Sequence, residues 1–183
     1  QGAMELEGKT LGLLGCGKIA RVTARKASQG LGMQVIAYSP SLRQDKVPKY
    51  IKVVSRADVF RLADFVSVNL PATATTKGSI GSEEFAMMKD TAFFINTARG
   101  SIVRENELIE ALSKKQIAGA AIDVFQEEPP KTNNELLHLP NVLATPHSAA
   151  QTKQARFRVS LQLAEEIFRA LQKRTLKWPV NKL

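Results

Sequence analysis

Residues 9–26, KTLGLLGCGKIARVTARK, place a short apolar run directly before a glycine-rich turn that opens a helical pattern. The turn has the form G-x-G-x-x-A, with Gly15, Gly17 and Ala20 at the three small positions. In this pattern the first glycine permits a tight turn, the second lets the backbone approach a pyrophosphate, and the helix N-terminus favours the negative charge. A strand before the turn and a helix after it favour dinucleotide binding over a purely structural turn.

The rest of the chain continues the alternation of apolar runs and helical patterns, which predicts an α/β fold with a doubly wound parallel sheet of the Rossmann dinucleotide-binding type. The apolar runs mostly lack polar alternation, as is typical of strands that helices cover on both faces. The predicted strands are residues 10–14, 34–38, 65–70, 92–96, 118–124 and 142–145. The predicted helices are residues 18–31, 55–62, 82–88, 105–115 and 152–172.

Length and composition indicate one globular domain. The 183 residues, 44% of them hydrophobic, suffice for a buried core, and residues 5–183 are predicted to form one dinucleotide-binding domain. The opening QGAM, residues 1–4, fits no element and is interpreted as a cloning remnant. No apolar run approaches the ~20 residues that cross a bilayer, so a cytoplasmic location is expected. Because Cys16 is the single cysteine, neither an intrachain disulfide nor a multi-cysteine metal site is predicted, and with only His138 and His147 as histidines no metal site is expected.

The net charge of +9 raises nucleic-acid binding as an alternative, because clustered cations neutralise phosphates. The charges are spread along the chain, however, and the densest group, in residues 153–182, has no interleaved aromatic pattern. A solvated basic surface is therefore the favoured interpretation, with no nucleic-acid and no membrane partner expected. The positive electrostatic potential of a basic surface also attracts an anionic cofactor or substrate.

Three stretches in the second half carry side chains suited to catalysis. They are NTARGSIV with Arg99, AIDVFQEEPP with Asp123 and Glu128, and LATPHSAAQT with His147. Each follows a predicted strand, and the carboxyl ends of parallel strands share one edge of the sheet. We therefore expect these loops to meet the glycine-rich turn.

The residue types suggest specific roles. Arg99 can hold a carboxylate through two hydrogen bonds, and His147 titrates near neutrality and suits proton exchange with a hydroxyl or carbonyl oxygen. Glu128 is the candidate carboxylate that orients the histidine, and Asp123 could accept a hydrogen bond from a nicotinamide carboxamide. Taken singly, each residue has an equally good structural interpretation as a turn, loop or packing residue.

At these residues the sequence resembles the cofactor-binding domain of the D-isomer-specific 2-hydroxyacid dehydrogenases. The resemblance runs from about Leu6 to Asn181 and is carried by LEGKTLGLLGCGKIA, GMQVIAYSP, FVSVNLPATATTKGSI, FINTARGSIV, ALSKKQIAGAAIDVFQEEPP and LPNVLATPHSAAQT. It implies hydride transfer between a nicotinamide cofactor and C2 of a 2-hydroxy or 2-keto acid, in a homodimer joined through this domain. An alternative within the same family is a corepressor-like module that senses dinucleotides.

The resemblance also implies roles for individual residues. Arg99 would bind the substrate carboxylate and keto oxygen, and His147 would exchange the proton, paired with Glu128. The implied cofactor contacts comprise the phosphate loop, the adenosine side and the nicotinamide side: Gly15, Gly17, Lys18, Ile19, Leu70, Pro71, Thr76, Thr97, Ala98, Arg99, Asp123, His147 and Ala149.

Two departures from the family pattern matter. The usual acid after the second strand is Ser39 here, followed by Ser41 and Arg43, so NADP is permitted although the family usually uses NAD. The family also builds its substrate domain largely from residues that precede the glycine-rich turn, and this chain begins only a few residues before it. Poor activity of the isolated domain is therefore expected. The sequence leaves the choice of dinucleotide and the identity of the 2-hydroxy acid open.

Overall fold

The computed structural model describes residues 3–179. The chain divides into two compact units, Gln1–His147 and Ser148–Leu183. The assignment of residues 5–183 to one domain stays a prediction. Residues 1 and 2 of the expected cloning remnant, and residues 180–183 at the other end, lie outside the described residues.

The first unit is built on a seven-stranded, all-parallel sheet in the order β3-β2-β1-β4-β5-β6-β7. Its strands are β1 Thr10–Leu14, β2 Gln34–Tyr38, β3 Ile51–Val53, β4 Phe65–Val68, β5 Phe93–Asn96, β6 Gly119–Ile122 and β7 Val142–Ala144. The direction of winding reverses between β1 and β4, which makes their carboxyl ends the crevice where open α/β sheets bind ligands.

Helices connect the strands of this unit. They are α1 Lys18–Leu31, α2 Arg56–Leu62, α3 Ser82–Met87 and α4 Glu105–Ser113, with short 3-10 turns at Gln44–Lys46, Gly100–Ile102 and Glu135–Leu137. Helix α1 begins after Gly17 and ends at Gly32, which has a left-handed φ of 64° and donates its N–H to the carbonyl of Ala27. Two glycines thus bound the helix, the second in a conformation that favours glycine.

The sheet separates two apolar cores, and β1 contributes to both by alternation of its side chains. Leu11 and Leu13 join the three buried alanines of α1 in one core. Leu14 joins the other core, which is built around Phe60, Phe85 and Phe94. Burial on both faces explains why the strand sequences are nearly continuous apolar runs.

The predicted fold class is confirmed, and the differences lie at the ends of elements. The predicted strand 65–70 is too long, because the pairing with β5 ends at Val68 and residues 69 and 70 belong to no strand. The edge strand β3 was missed because three residues, IKV with a central exposed lysine, form too short an apolar pattern to recognise.

Within residues 148–179, the described part of the second unit, there is one helix, α5 Lys153–Leu171. Thr152 caps it by accepting a hydrogen bond from the N–H of Ala155 at 3.0 Å. Glu166 on this helix accepts hydrogen bonds from the N–H groups of Lys177 and Trp178. None of the helices in residues 3–179 is both long and apolar enough to span a membrane.

Candidate active site

The glycine-rich turn follows β1 and is fixed by its neighbours at the crevice. The N–H of Gly15 donates to the carbonyl of Tyr38 at 2.7 Å, which ties the turn to the end of β2. Gly15 has a φ of 92°, and a Cβ on it would lie 2.6 Å from the carbonyl oxygen of Asn69. Glycine is therefore required at this position by the fold itself.

Gly17 is different, because neither its backbone nor its surroundings demand glycine. Its φ of −76° suits any residue, and a Cβ would meet no neighbouring atom within 4 Å. Lys18 and Ile19 are exposed beside it, and the first N–H groups of α1 have no partner within the helix. The open space next to these donors fits a pyrophosphate, which a Cβ would obstruct.

His147 and Glu128 form a pair beyond the carboxyl ends of β6 and β7. The distance from His147 Nδ1 to Glu128 Oε2 is 2.8 Å, and the two side chains are 50% and 38% exposed. His147 has a left-handed φ of 51°, and its N–H bonds to the carbonyl of Asp123 at 2.9 Å. A positive φ is uncommon for residues other than glycine, and here the hydrogen bond to the carbonyl of Asp123, at the end of β6, holds it.

The pKa of Glu128 is lowered, first by the hydrogen bond from His147, then by one from the N–H of Phe125, and also by the charges of His147 and Arg99. Glu128 is therefore a carboxylate at neutral pH and can only accept hydrogen bonds. Consequently Nδ1 of His147 carries a proton, and Nε2 is the ring nitrogen left to exchange one with a ligand.

Arg99 lies on a turn that the buried Asn96 organises from the end of β5. The side chain of Asn96 accepts from the N–H of Ala98 at 3.0 Å and donates to the carbonyl of Arg99 at 3.1 Å. Next to Arg99, a Cβ on Gly100 would collide with the carbonyl of Phe125. The loop that carries Arg99 is thus packed tightly against the loop that leads to Glu128.

Asp123 is 4% exposed at the end of β6, and its Oδ1 accepts a hydrogen bond of 2.5 Å from the hydroxyl of Thr145. Thr145 directly follows β7, so this bond joins the ends of two neighbouring strands. Because Asp123 is thereby oriented, one of the predicted cofactor contacts is held in place by a residue that follows a different strand.

The remaining predicted residues of the first unit also follow strand ends. Beyond β4, Leu70 packs against the core and Pro71 is exposed, with its carbonyl accepting from the hydroxyl of Thr76 at 2.5 Å. Thr97 is exposed beyond β5. Ala149 belongs to the second unit and is exposed there.

The loop after β2 carries Ser39, Ser41 and Arg43, the residues on which the sequence-based prediction of cofactor choice depends. Ser39 is half-buried, whereas Ser41 and Arg43 are exposed. The side chain of Arg43 is paired with Asp45, with 3.0 Å between Nε and Oδ1.

Several residues that build this edge were not singled out from the sequence, namely Asn96, Thr145, Arg21 and Asp45. Asn96 and Thr145 stand at predicted strand ends beside predicted site residues, and that position was the available signal. For Arg21 and Asp45 the sequence offered no such signal, because their partners are backbone carbonyls and a side chain two residues away. Within residues 3–179 no group of three or more His, Cys, Asp or Glu side chains could hold a metal ion.

Comparison with known sequences matches residues 1–149 to the family described as D-isomer specific 2-hydroxyacid dehydrogenase, NAD binding domain. Hydroxypyruvate reductase of Thermotoga maritima is 40% identical over 169 residues, which cover 91% of this chain and 54% of that protein. D-3-phosphoglycerate dehydrogenase of Bacillus subtilis is 43% identical over 165 residues, which cover 89% of this chain and 31% of that protein. The chain thus spans about half of the first relative and about a third of the second.

Solved structures give the same result. The holo form of D-mandelate dehydrogenase from Rhodotorula graminis superposes with a TM-score of 0.92 at 31% identity, over 99% of this chain and 53% of that one. D-lactate dehydrogenase with NAD+ from Lactobacillus jensenii superposes with a TM-score of 0.90 at 31% identity, over 98% of this chain and 58% of that one. An acyclic imino acid reductase in complex with NADPH and D-Arg has a TM-score of 0.86 at 30% identity, over 98% of this chain and 55% of that one.

Proposed function

Because this chain belongs to the D-isomer specific 2-hydroxyacid dehydrogenase family, whose NAD binding domain its residues 1–149 match, we propose that it carries the cofactor half of an oxidoreductase. The whole protein would transfer a hydride between a nicotinamide dinucleotide and C2 of a D-2-hydroxy acid or its 2-keto acid. The dinucleotide, when bound, supplies or accepts that hydride.

The observation that carries this proposal is the hydrogen bond of 2.8 Å between His147 and Glu128 at the sheet edge that also carries the open phosphate loop. A histidine held by an ionised carboxylate and oriented with Nε2 free has the arrangement of a general acid and base.

The proposed roles follow from this geometry. In reduction, His147 would donate a proton from Nε2 to the carbonyl oxygen as the alcohol forms, and in oxidation Nε2 would accept it. Glu128 would stabilise the protonated ring, and the guanidinium of Arg99 would bind the carboxylate of the substrate. Asp123, oriented by Thr145, would accept a hydrogen bond from the nicotinamide carboxamide.

For the dinucleotide we propose relaxed specificity, with NAD as the principal cofactor and NADP tolerated. The family is described as NAD binding, and one similar structure contains NADPH. A serine at position 39 in place of the usual acid reduces the repulsion of a 2′-phosphate. The remaining proposed contacts are those predicted from the sequence, including Lys18, Ile19, Leu70, Pro71, Thr76, Thr97, Ala98 and Ala149.

The relatives named above are all reductases or dehydrogenases, which leaves the corepressor alternative without support. A homodimer joined through this domain, a cytoplasmic location and the absence of nucleic-acid and membrane partners stay predictions from the sequence.

The test has two parts. Calorimetric titration of the 183-residue chain with NAD+ should give saturable binding at one site. In the full-length protein, oxidation of the reduced dinucleotide should depend on an added 2-keto acid, such as hydroxypyruvate, glyoxylate or pyruvate. His147→Ala should abolish that oxidation while dinucleotide binding remains measurable, because the phosphate loop is intact.

The matched control is His138→Ala, because His138 is the other histidine and its Nε2 lies 2.9 Å from the carbonyl of Thr132, in a different loop. Full activity of the His147→Ala protein would refute the proton-transfer role. Failure of the chain to bind either dinucleotide would refute the cofactor assignment.

A further inference from the structure

The loop between β2 and β3 is anchored against the phosphate loop by one arginine. Arg21 of α1 donates from Nε to the carbonyl of Cys16 at 3.2 Å and from Nη2 to the carbonyl of Lys46 at 3.0 Å. Because one planar guanidinium bridges both carbonyls, the 3-10 turn Gln44–Lys46 lies directly beside the turn that follows β1.

A glutamine anchors the opposite side of the same turn. Gln44 donates from Nε2 to the carbonyl of Ile51 at 2.9 Å and accepts from the N–H of Val53 at 2.8 Å. Both partners belong to the edge strand β3. These hydrogen bonds to β3 and to α1 hold the backbone of the turn in place. The exposed side chains of the turn are the groups that can change conformation.

Those exposed side chains form a cluster of two cations around one anion. Asp45 lies 3.0 Å from Nε of Arg43 through Oδ1 and 3.7 Å from Nζ of Lys46 through Oδ2. The side chains of Arg43, Asp45 and Lys46 are 78%, 54% and 72% exposed. Their charges sum to a single positive charge, on the loop that follows Ser39 and the end of β2.

We propose that Asp45 is a specificity-determining residue that sets the preference for NAD over NADP. The inference rests on the proposed function, because it presupposes that a dinucleotide binds at the phosphate loop. Asp45 would act in two ways: it occupies Arg43, and it supplies near the adenine ribose the negative charge that Ser39 lacks.

The physical argument concerns the 2′-phosphate, which distinguishes NADP from NAD by about two negative charges at neutral pH. To bind that phosphate, Arg43 must leave Asp45, and the phosphate must approach the carboxylate that remains on the fixed turn. Both steps cost free energy. Binding of NAD, which has a hydroxyl in place of the 2′-phosphate, requires neither step. Removal of the charge of Asp45 therefore frees two cations for the phosphate and removes the repulsion.

The experiment is calorimetric titration of the 183-residue chain with NAD+ and with NADP+ at low salt. Asp45→Asn should tighten NADP+ binding by about three- to tenfold and change NAD+ binding by less than about twofold. The gain should shrink at high salt, since the groups are exposed. In Asp45→Asn/Arg43→Gln the gain should be smaller than in Asp45→Asn alone, because the 2′-phosphate then lacks Arg43 and only Lys46 and the removed repulsion contribute.

Glu110→Gln is the matched control. Glu110 is an exposed carboxylate paired with a lysine on α4, so the substitution adds the same charge to the protein at a site outside this loop. An equal gain in the control, or an equal change for both dinucleotides in Asp45→Asn, would overturn the proposal and point to the general field of the protein. If neither dinucleotide bound the parent chain, the proposed function itself would fail, and that result is distinct from binding with unaltered selectivity.

Discussion

At the scale of single residues, the two glycines of the phosphate loop are present for different reasons. Gly15 is required by its positive φ and by the close approach of Asn69, whereas Gly17 has ordinary backbone angles and open space where a Cβ would stand. The first is a requirement of the fold. The fold does not require glycine at position 17, and the presence of Gly17 is explained when a ligand approaches the backbone there.

This difference predicts opposite phenotypes for two alanine substitutions. Gly15→Ala should lower the free energy of unfolding by about 2 kcal/mol or more, because of strain and collision. Gly17→Ala should change it by less than about 0.5 kcal/mol and yet weaken NAD+ binding about tenfold or more. Urea denaturation and calorimetry measure the two quantities. Normal NAD+ binding by Gly17→Ala would contradict the placement of the pyrophosphate.

Ser39 leads to a second prediction at this scale. Ser39→Asp restores a carboxylate at the end of β2, where it can accept hydrogen bonds from ribose hydroxyls and repel a 2′-phosphate. We expect it to weaken NADP+ binding about tenfold more than NAD+ binding, measured by titration of both cofactors. Ser113→Asp, at an exposed serine at the end of α4, serves as the control for a nonspecific charge effect. Equal weakening of the two cofactors by Ser39→Asp would argue against relaxed specificity.

At the scale of elements, Asp64 connects the start of β1 to the end of α3. It accepts a hydrogen bond from the N–H of Thr10 at 2.8 Å and pairs with Lys89 at 2.8 Å. Burial would raise the pKa of Asp64, but the hydrogen bonds from Lys89 and Thr10 and the charges of Lys89 and Lys9 together lower it. The ionised form is therefore stabilised by folding.

The stability of the fold should depend on pH through this residue. Since folding lowers the pKa of Asp64 below its ordinary value of 3.8, its contribution is complete above that value and is lost as the pH falls through the lowered one. Asp64→Asn should cost about 1 kcal/mol at neutral pH, a figure reduced for the partial exposure of Lys89. The difference from the parent should vanish in acid.

Denaturant titrations of the parent and the variant between about pH 7 and pH 2 measure this difference. Glu110→Gln provides the comparison, because the Glu110–Lys114 pair is exposed on both sides and should contribute little. A difference that stays constant down to the lowest pH would show that ionisation of Asp64 does not stabilise the fold.

At the scale of the whole molecule, the chain spans about half the length of the hydroxypyruvate reductase that it matches. Its candidate catalytic side chains are open to solvent, with His147 half exposed. Precise positioning of the substrate and exclusion of water accelerate enzymatic reactions, and both are weaker at a site that is open to solvent.

We therefore expect the 183-residue chain to bind NAD+ but to turn over 2-keto acids well below about 1 per second. The rate is measured from the absorbance of the reduced nicotinamide with saturating cofactor and a panel of 2-keto acids. His147→Ala in the same chain is the control for contaminating activity. Turnover within the ordinary range of enzymes, about 1 to 1000 per second, would contradict this expectation.

The sequence by itself determined the fold class, most helix and strand positions and the family. All of these can be predicted from local patterns. Apolar runs indicate strands that are buried on both faces, and Gly17 and Gly32 at the ends of α1 indicate a turn and a helix cap. Strand β3 was not predicted, because its three residues are too few to form a recognisable apolar pattern. The candidate residues Gly17, Arg99, Glu128 and His147 were recognisable because each sits in a motif after a strand.

Only the tertiary structure decided how those residues are combined. The bond between His147 and Glu128 joins residues nineteen apart in sequence, and the bridge from Arg21 to Lys46 spans twenty-five. The role proposed for Asp45 depends on where the anchored turn Gln44–Lys46 places its charge. Contacts of this kind depend on how the helices and strands pack together. A sequence pattern reflects the local environment of a residue, but it does not give the distance to a residue far away in the sequence.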